Sequence, residues 1–170
     1  MHTAGSTDEG GIAQELRERY FLGRLSEELS ELIAEQSAVA FDAAGIVIPV
    51  KSCSLMVAIE RLQPAAARDL ADALDRSHQL VSQKLPKLLQ LGLVECDGDP
   101  DDLRRKLYRL THKGVEQMAL LRELDPRIDA AYADLCADVG DLPQILRDAL
   151  SGLRDRPIID RIGTLPSSAV

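Results

Sequence analysis

Just after Ser77, the polar residues His78, Gln79, Ser82 and Gln83 recur at helical spacing, and Lys84 and Lys87 follow within the next turn. On a helix that buries Val81, Leu85, Leu88 and Leu89, they form a polar face. A glutamine amide can donate and accept at once, which matches the N6 and N7 edge of adenine in a major groove. The two lysines are placed for phosphate oxygens, which supply affinity and carry no sequence information. The Ser77 hydroxyl can accept from an orphan amide of the first turn and so cap the helix. The positive end of the helix dipole suits an anionic groove. This chemistry is recognition rather than bond making. The sequence holds no Ser/His/Asp set, no paired-carboxylate motif and no glycine-rich phosphate loop. His2 lies in the N-terminal segment and His112 at an expected helix start, and scattered acids read as solvated faces. The chain reads as a non-enzyme with no cofactor.

The flanking pattern supplies the elements that must hold this face. Ile12, Leu16, Tyr20, Leu25, Leu29, Leu32, Ile33 and Val39 fall at helical spacing and predict one long helix to Phe41, with Gly23 a tolerated weak point. Its apolar stripe needs more cover than a small domain offers, which points to a second copy of the chain. Gly45 and Pro49 break the pattern. Ser52 is expected to start a second helix with Leu55, Met56, Ile59 and Leu62 on one face, ended by Pro64. A third helix is expected over Ala65 to Leu74, with Leu70, Ala71 and Leu74 inward. After a turn over Asp75 to Ser77 the polar-faced helix runs to Leu91, and Gly92 suits its left-handed C-cap. Pro86, inside that helix, removes one backbone bond and predicts a kink between its two halves.

Leu93–Cys96 and Leu107–Leu110 read as two strands of a hairpin with a long charged tip over residues 97–106. Thr111 is placed to cap a helix from His112 to about Leu124, where Pro126 is expected to interrupt it. Helical spacing resumes at Ile128, Tyr132 and Leu135. A last helix follows Gly140 with Leu142, Ile145, Leu146, Leu150 and Leu153. Residues 1–11 and 157–170 read as loosely ordered tails.

The net charge of −8 hides an asymmetry. Residues 51–114 carry 11 Lys/Arg and 9 Asp/Glu, whereas the rest of the chain is at −10. A locally basic lobe on an acidic scaffold suits nucleic-acid contact. No apolar stretch approaches the roughly 18 residues of a membrane span. The N-terminus lacks the basic start and apolar centre of a signal peptide. Both features point to the cytoplasm and to no membrane partner. Cys53, Cys96 and Cys136 have no metal-ligand spacing and read as reduced thiols; one of them as a redox sensor is the alternative.

The order helix, helix, turn, helix, strand, charged loop, strand is that of a winged helix-turn-helix. The segments SHQLVSQKLPKLLQLGLV, DPDDLRR and YRLTHKG resemble the DNA-binding lobe of the MarR family. The resemblance covers roughly residues 12–155, and the wing with its LTxxG exit is its most specific part. It implies a mainly α fold with a small antiparallel β-hairpin wing, a winged helix-turn-helix with N- and C-terminal helices forming a dimerisation lobe. On this reading residues 12–50 and 115–156 build the dimerisation lobe, and residues 51–114 build the DNA-binding lobe. The family's Asp-x-Arg wing pattern falls on Asp102 and Arg104. Arg104 would then enter the minor groove, oriented by Asp102, and Arg105 and Lys106 would add phosphate contacts. A narrow A·T-rich minor groove concentrates negative potential, so an inserted arginine is physically sensible there. Leu103 departs from the pattern, because the family often carries a basic residue at that place.

The resemblance implies a homodimer on a pseudo-palindromic stretch of double-stranded DNA, with repression relieved by a small, often aromatic or phenolic effector. No pocket for it is legible in the sequence. Two other readings stand beside this one: a cysteine-based redox or metal sensor on the same fold, and a protein-interaction module that has lost DNA binding.

Overall fold

The computed structural model describes residues 21–98 and 105–163. The expected beginning of the first helix at Ile12, the wing tip with Asp102, Leu103 and Arg104, the N-terminal tail and residues 164–170 lie outside the described residues, whereas residues 157–163 of the expected loose C-terminal tail are described and hold a short helix over Ile158–Ile162. The chain divides into two compact units, Met1–Glu123 and Leu124–Val170.

In the first unit, α1 (Leu22–Ala43) ends at a turn where Gly45 has a φ of 69°. Along α1 only Phe41 is buried, and Leu32 and Val39 are exposed. A 3-10 turn over Val50–Ser52 leads into α2 (Cys53–Leu62). The helix thus starts one residue later than expected, and Ser52 makes no side-chain cap bond. Leu55, Met56 and Ile59 of α2 are fully buried, but Leu62 points outward at 43% exposure.

The third helix is shorter than the apolar pattern predicts, because Ala65–Ala66 forms a strand, β1, before α3 (Ala67–Ala73). Pro64 explains the difference, since a residue that precedes proline is pushed toward extended backbone, and Gln63 has φ −56° and ψ 139°. The chain then leaves extended, and Ala65 and Ala66 pair with Tyr108 and Leu107. The Gln63 side chain reinforces this join by accepting from the Leu110 amide at 2.7 Å. Alanine's helix propensity yields here to a ladder that no local pattern announces. Leu74, expected inward, is half-buried.

After α3, Asp75 takes the left-handed conformation at φ 50° in the turn to α4 (His78–Gln90). The wing follows as β2 (Val94–Gly98) and β3 (Lys106–Leu110), giving a three-stranded antiparallel sheet in the order β1-β3-β2. β2 reaches two residues further toward the tip than the apolar pattern predicts. Arg109 supports that extension, meeting Glu95 and Asp97 at 2.7 Å each. Both pairs are half-exposed, so solvent screens them and each contributes little.

The core of this unit is aliphatic: Leu55, Met56, Ile59, Leu70, Leu85, Leu88, Leu93 and Met118 are fully buried. Each contributes about 1.5–3 kcal/mol of apolar burial. Gln117 is a polar residue within it, 9% exposed. Its side chain accepts from the Val47 amide at 2.6 Å and donates to the Gly45 carbonyl at 3.1 Å. It thereby ties the turn after α1 to the first part of α5 (His112–Val139). Gln117→Leu should cost about 1–3 kcal/mol by leaving both backbone groups unpaired. A urea midpoint indistinguishable from the wild-type value would refute that role.

α5 is continuous from His112 to Val139, which corrects the expected interruption at Pro126. Pro126 is exposed, so the Arg122 carbonyl that lacks its amide partner can be solvated. In the second unit, Asp141 caps α6 (Leu142–Asp155) by accepting from the Gln144 amide at 3.0 Å. Ile145, Leu146, Leu150 and Leu153 of α6 are all exposed, as are Ile158, Ile159 and Ile162 of the short α7 (Ile158–Ile162). No helix among the described residues is long and apolar enough to cross a membrane.

Candidate nucleic-acid interface

α4 sorts its residues by their angle around the axis. Val81, Leu85 and Leu88 are buried against the core. At 100° per residue, Gln79, Gln83 and Lys87 stand on the opposite side, and all three are exposed. Ser77 caps the helix as expected, its hydroxyl accepting from the Leu80 amide at 3.3 Å. Gly92 closes it in the left-handed conformation at φ 66°, and the Lys113 ammonium donates to the Leu91 carbonyl at 2.8 Å. Pro86 is exposed on the outward face of an otherwise unbroken helix.

The two flanks of α4 differ. On one, His78 and Ser82 line a concavity of about 400 Å³ together with Arg68, Arg105, Lys106 and Tyr108. The His78 Nδ1 lies 3.5 Å from the Ser82 hydroxyl. Four basic or imidazole side chains from the start of α3, the start of α4 and the root of the wing converge there. On the other flank lies Lys84, half-buried, whose ammonium donates to the Lys51 carbonyl. Lys84 therefore stands apart from Gln79, Gln83 and Lys87. Lys87 reaches the Gln90 amide oxygen at 3.5 Å and remains exposed.

Arg68 is a residue the sequence reading missed. It is the second residue of α3, the first helix of the helix-turn-helix pair, which crosses the backbone in such motifs. Its place in the concavity depends on β1, which sets the start of α3 beside β3. Its neighbour Asp69 anchors the wing root, with its carboxylate accepting from the Ala66 amide at 3.0 Å and from Arg105 at 2.5 Å. Arg105, expected as a phosphate contact, is thus held by an acid at the edge of the concavity.

The Ala66 amide, and then the Arg105 and Arg68 guanidinium groups, hold the Asp69 carboxyl below the usual aspartate value of 3.8. A depressed folded-state value means that stability is present above the unfolded value and is lost as pH falls through the folded one. Asp69→Asn should therefore be less stable than wild type at pH 6, and the gap should shrink as pH drops below 3.8. A gap that stays constant from neutral to acid pH would show that the charge is not what matters.

The exit from the wing explains the LTxxG pattern. The Thr111 hydroxyl donates to the Gly92 carbonyl at 2.6 Å and accepts from the Gly114 amide at 3.0 Å. It caps α5 as expected, and the Thr111 amide donates to the Leu93 carbonyl at 3.1 Å. α5 thus starts against the backbone that enters the wing. The three cysteines are half-buried and lie apart, Cys53 at the start of α2, Cys96 in β2 and Cys136 in α5.

Residues 53–114 match the family model of the winged helix DNA-binding domain, and this span contains the capped helix, the concavity and the wing root. The lobe has the winged helix fold. The fold of the chain is that of the MarR-family regulators. It is similar to M. tuberculosis MosR in complex with DNA, at 21% identity and a TM-score of 0.60, covering 79% of this chain and 94% of that one. It is also similar to a MarR family transcription regulator, at 18% identity and a TM-score of 0.59, over 85% of this chain and 96% of that one. PcaV from Streptomyces coelicolor, in complex with its natural ligand, matches at 18% identity and a TM-score of 0.58, over 91% of this chain and 98% of that one. No curated protein matches the sequence significantly.

Proposed function

We propose that this protein is a transcriptional regulator of the MarR type that binds double-stranded DNA as a homodimer and represses until a small molecule releases it. The observation that carries this reading is the outward face of α4. There Gln79, Gln83 and Lys87 stand clear of the core, beside the concavity of Arg68, His78, Arg105 and Lys106. Gln79 and Gln83 would read base edges, Lys87 and Arg68 would hold phosphates, and the wing would bring Arg104, oriented by Asp102, to the minor groove. Pro86, on the same outward face, would set the angle at which the helix docks. The exposed leucines and isoleucines of α6 and α7 would be covered by a second copy, and its two-fold symmetry would be mirrored in a pseudo-palindromic operator. The likeness to MosR in complex with DNA supports the first part, and that to PcaV in complex with its natural ligand supports ligand response. Such a regulator acts in the cytoplasm.

The test is selection of duplexes from a randomised library by the full-length protein, followed by salt titration on the winner. The expected result is an inverted repeat whose binding weakens steeply as salt rises, because each neutralised phosphate releases counterions. No enriched sequence and salt-independent binding would instead favour an interaction module on the same fold.

A further inference from the structure

Neither packing nor helix formation accounts for Pro86. It lies inside α4, where proline is the least favourable residue because it removes a backbone bond and crowds the preceding turn. Leu85 and Leu88 on either side are buried, but Pro86 is exposed and adds nothing to the core. The helix runs unbroken from His78 to Gln90 all the same. At 100° per residue, Pro86 stands within about 20° of Gln79 and about 60° of Gln83 around the axis. The three fall at i, i+4 and i+7, so they share one outward face, and all are exposed. The exposed residues of α4 include one other apolar side chain, Leu80, which stands with Lys84 on the opposite flank.

The face therefore alternates two amide side chains with a rigid apolar ring. The amides suit the polar edges of bases. The proline ring offers methylene groups and no donor, and a major groove presents one apolar group to match it, the C5-methyl of thymine. A ring with no rotamers to freeze makes such a contact at little entropic cost. We propose that Pro86 determines specificity by packing its ring on the C5-methyl group of one thymine in each half of the operator. The inference rests on the DNA-binding reading and names a base that the two glutamines leave open. Pro86 lies three residues beyond Gln83, about 4.5 Å along the helix. That is little more than the step of about 3.4 Å between base pairs. The thymine thus belongs one or two base pairs from the one that Gln83 reads. A change of docking angle alone would alter every contact of the helix together, whereas a methyl contact is felt at one base.

The experiment replaces the thymines of one half of the duplex selected by the full-length protein with uracil, one at a time. Uracil keeps every base-pair hydrogen bond and lacks only the methyl group. Fluorescence anisotropy at fixed salt gives the affinities. One thymine should stand out, its replacement weakening the wild-type protein about fourfold, the effect of withdrawing one methyl group from an apolar contact. Pro86→Ser restores the backbone amide and removes the ring. It should bind the thymine and uracil duplexes equally, with the loss falling on the thymine duplex. Pro86→Leu restores the amide but keeps an apolar side chain, and should still prefer thymine by about twofold or more. Thermal midpoints of both variants at or above the wild-type value would show that the helix is intact. A selected duplex on which no single uracil weakens the wild-type protein overturns the proposal. So does an undiminished thymine preference in Pro86→Ser, or an equal loss on both duplexes, which would make Pro86 a determinant of docking angle alone. A protein that selects no duplex overturns the regulator reading and this inference with it.

Discussion

Gly114→Ala should lower the thermal midpoint of the first unit by about 6–12 °C, corresponding to about 3 kcal/mol of overpacking. A β-carbon at this position would lie 2.1 Å from the Leu93 carbonyl oxygen and 3.1 Å from its carbon. Neither side can yield cheaply. The helix start is held by Thr111, whose hydroxyl bridges the Gly92 carbonyl and the Gly114 amide. The Leu93 carbonyl itself accepts from the Thr111 amide. Moving the two backbones apart breaks that set and loosens Leu93, which is fully buried. Gly98→Ala is the matched control, because a β-carbon there meets nothing within 4 Å. Its effect should stay within about 0.5 kcal/mol. Equal midpoints for the two variants would show that the junction tolerates the extra carbon and that the glycine of LTxxG is not there for close approach.

The second large effect concerns recognition. Gln83→Ala should weaken binding to the selected operator by about 5–150-fold, the range that follows from losing one bidentate base contact. Binding to an unrelated duplex should hardly change, because that binding rests on phosphates. Lys87→Ala should weaken both duplexes alike and lower the salt slope by about one. The contrast is what the outward face of α4 predicts, with the glutamine reading bases and the lysine holding the backbone. A Gln83→Ala protein that loses both duplexes equally would place Gln83 on the phosphates instead.

Much of this was legible along the chain, and the misses have specific causes. The capped helix after Ser77, its Gly92 ending and the Thr111 cap rest on bonds within three residues or on one left-handed glycine, so local chemistry announces them. The burial of Val81, Leu85 and Leu88 follows from spacing alone. The strand at Ala65–Ala66 was missed because its partner lies some forty residues away and its residues are good helix formers. The expected break at Pro126 did not occur because that residue sits where water can serve the freed carbonyl. Arg68 was missed because nothing local marks it; only the pairing of β1 with β3 brings it beside His78 and Arg105.

The sequence by itself determined which helix faces outward, where it is capped and that its lobe is locally basic. These are properties of periodicity, capping and charge, all carried by neighbours in the chain. Only the tertiary structure decided how the basic residues divide. Arg105 is claimed by Asp69, Arg68 joins the wing concavity, and Lys84 turns to the opposite flank beside Lys51 and Arg76. The reason is that a long cationic side chain goes where partners from distant elements meet it. Those meetings depend on packing and strand register, which no stretch of sequence contains.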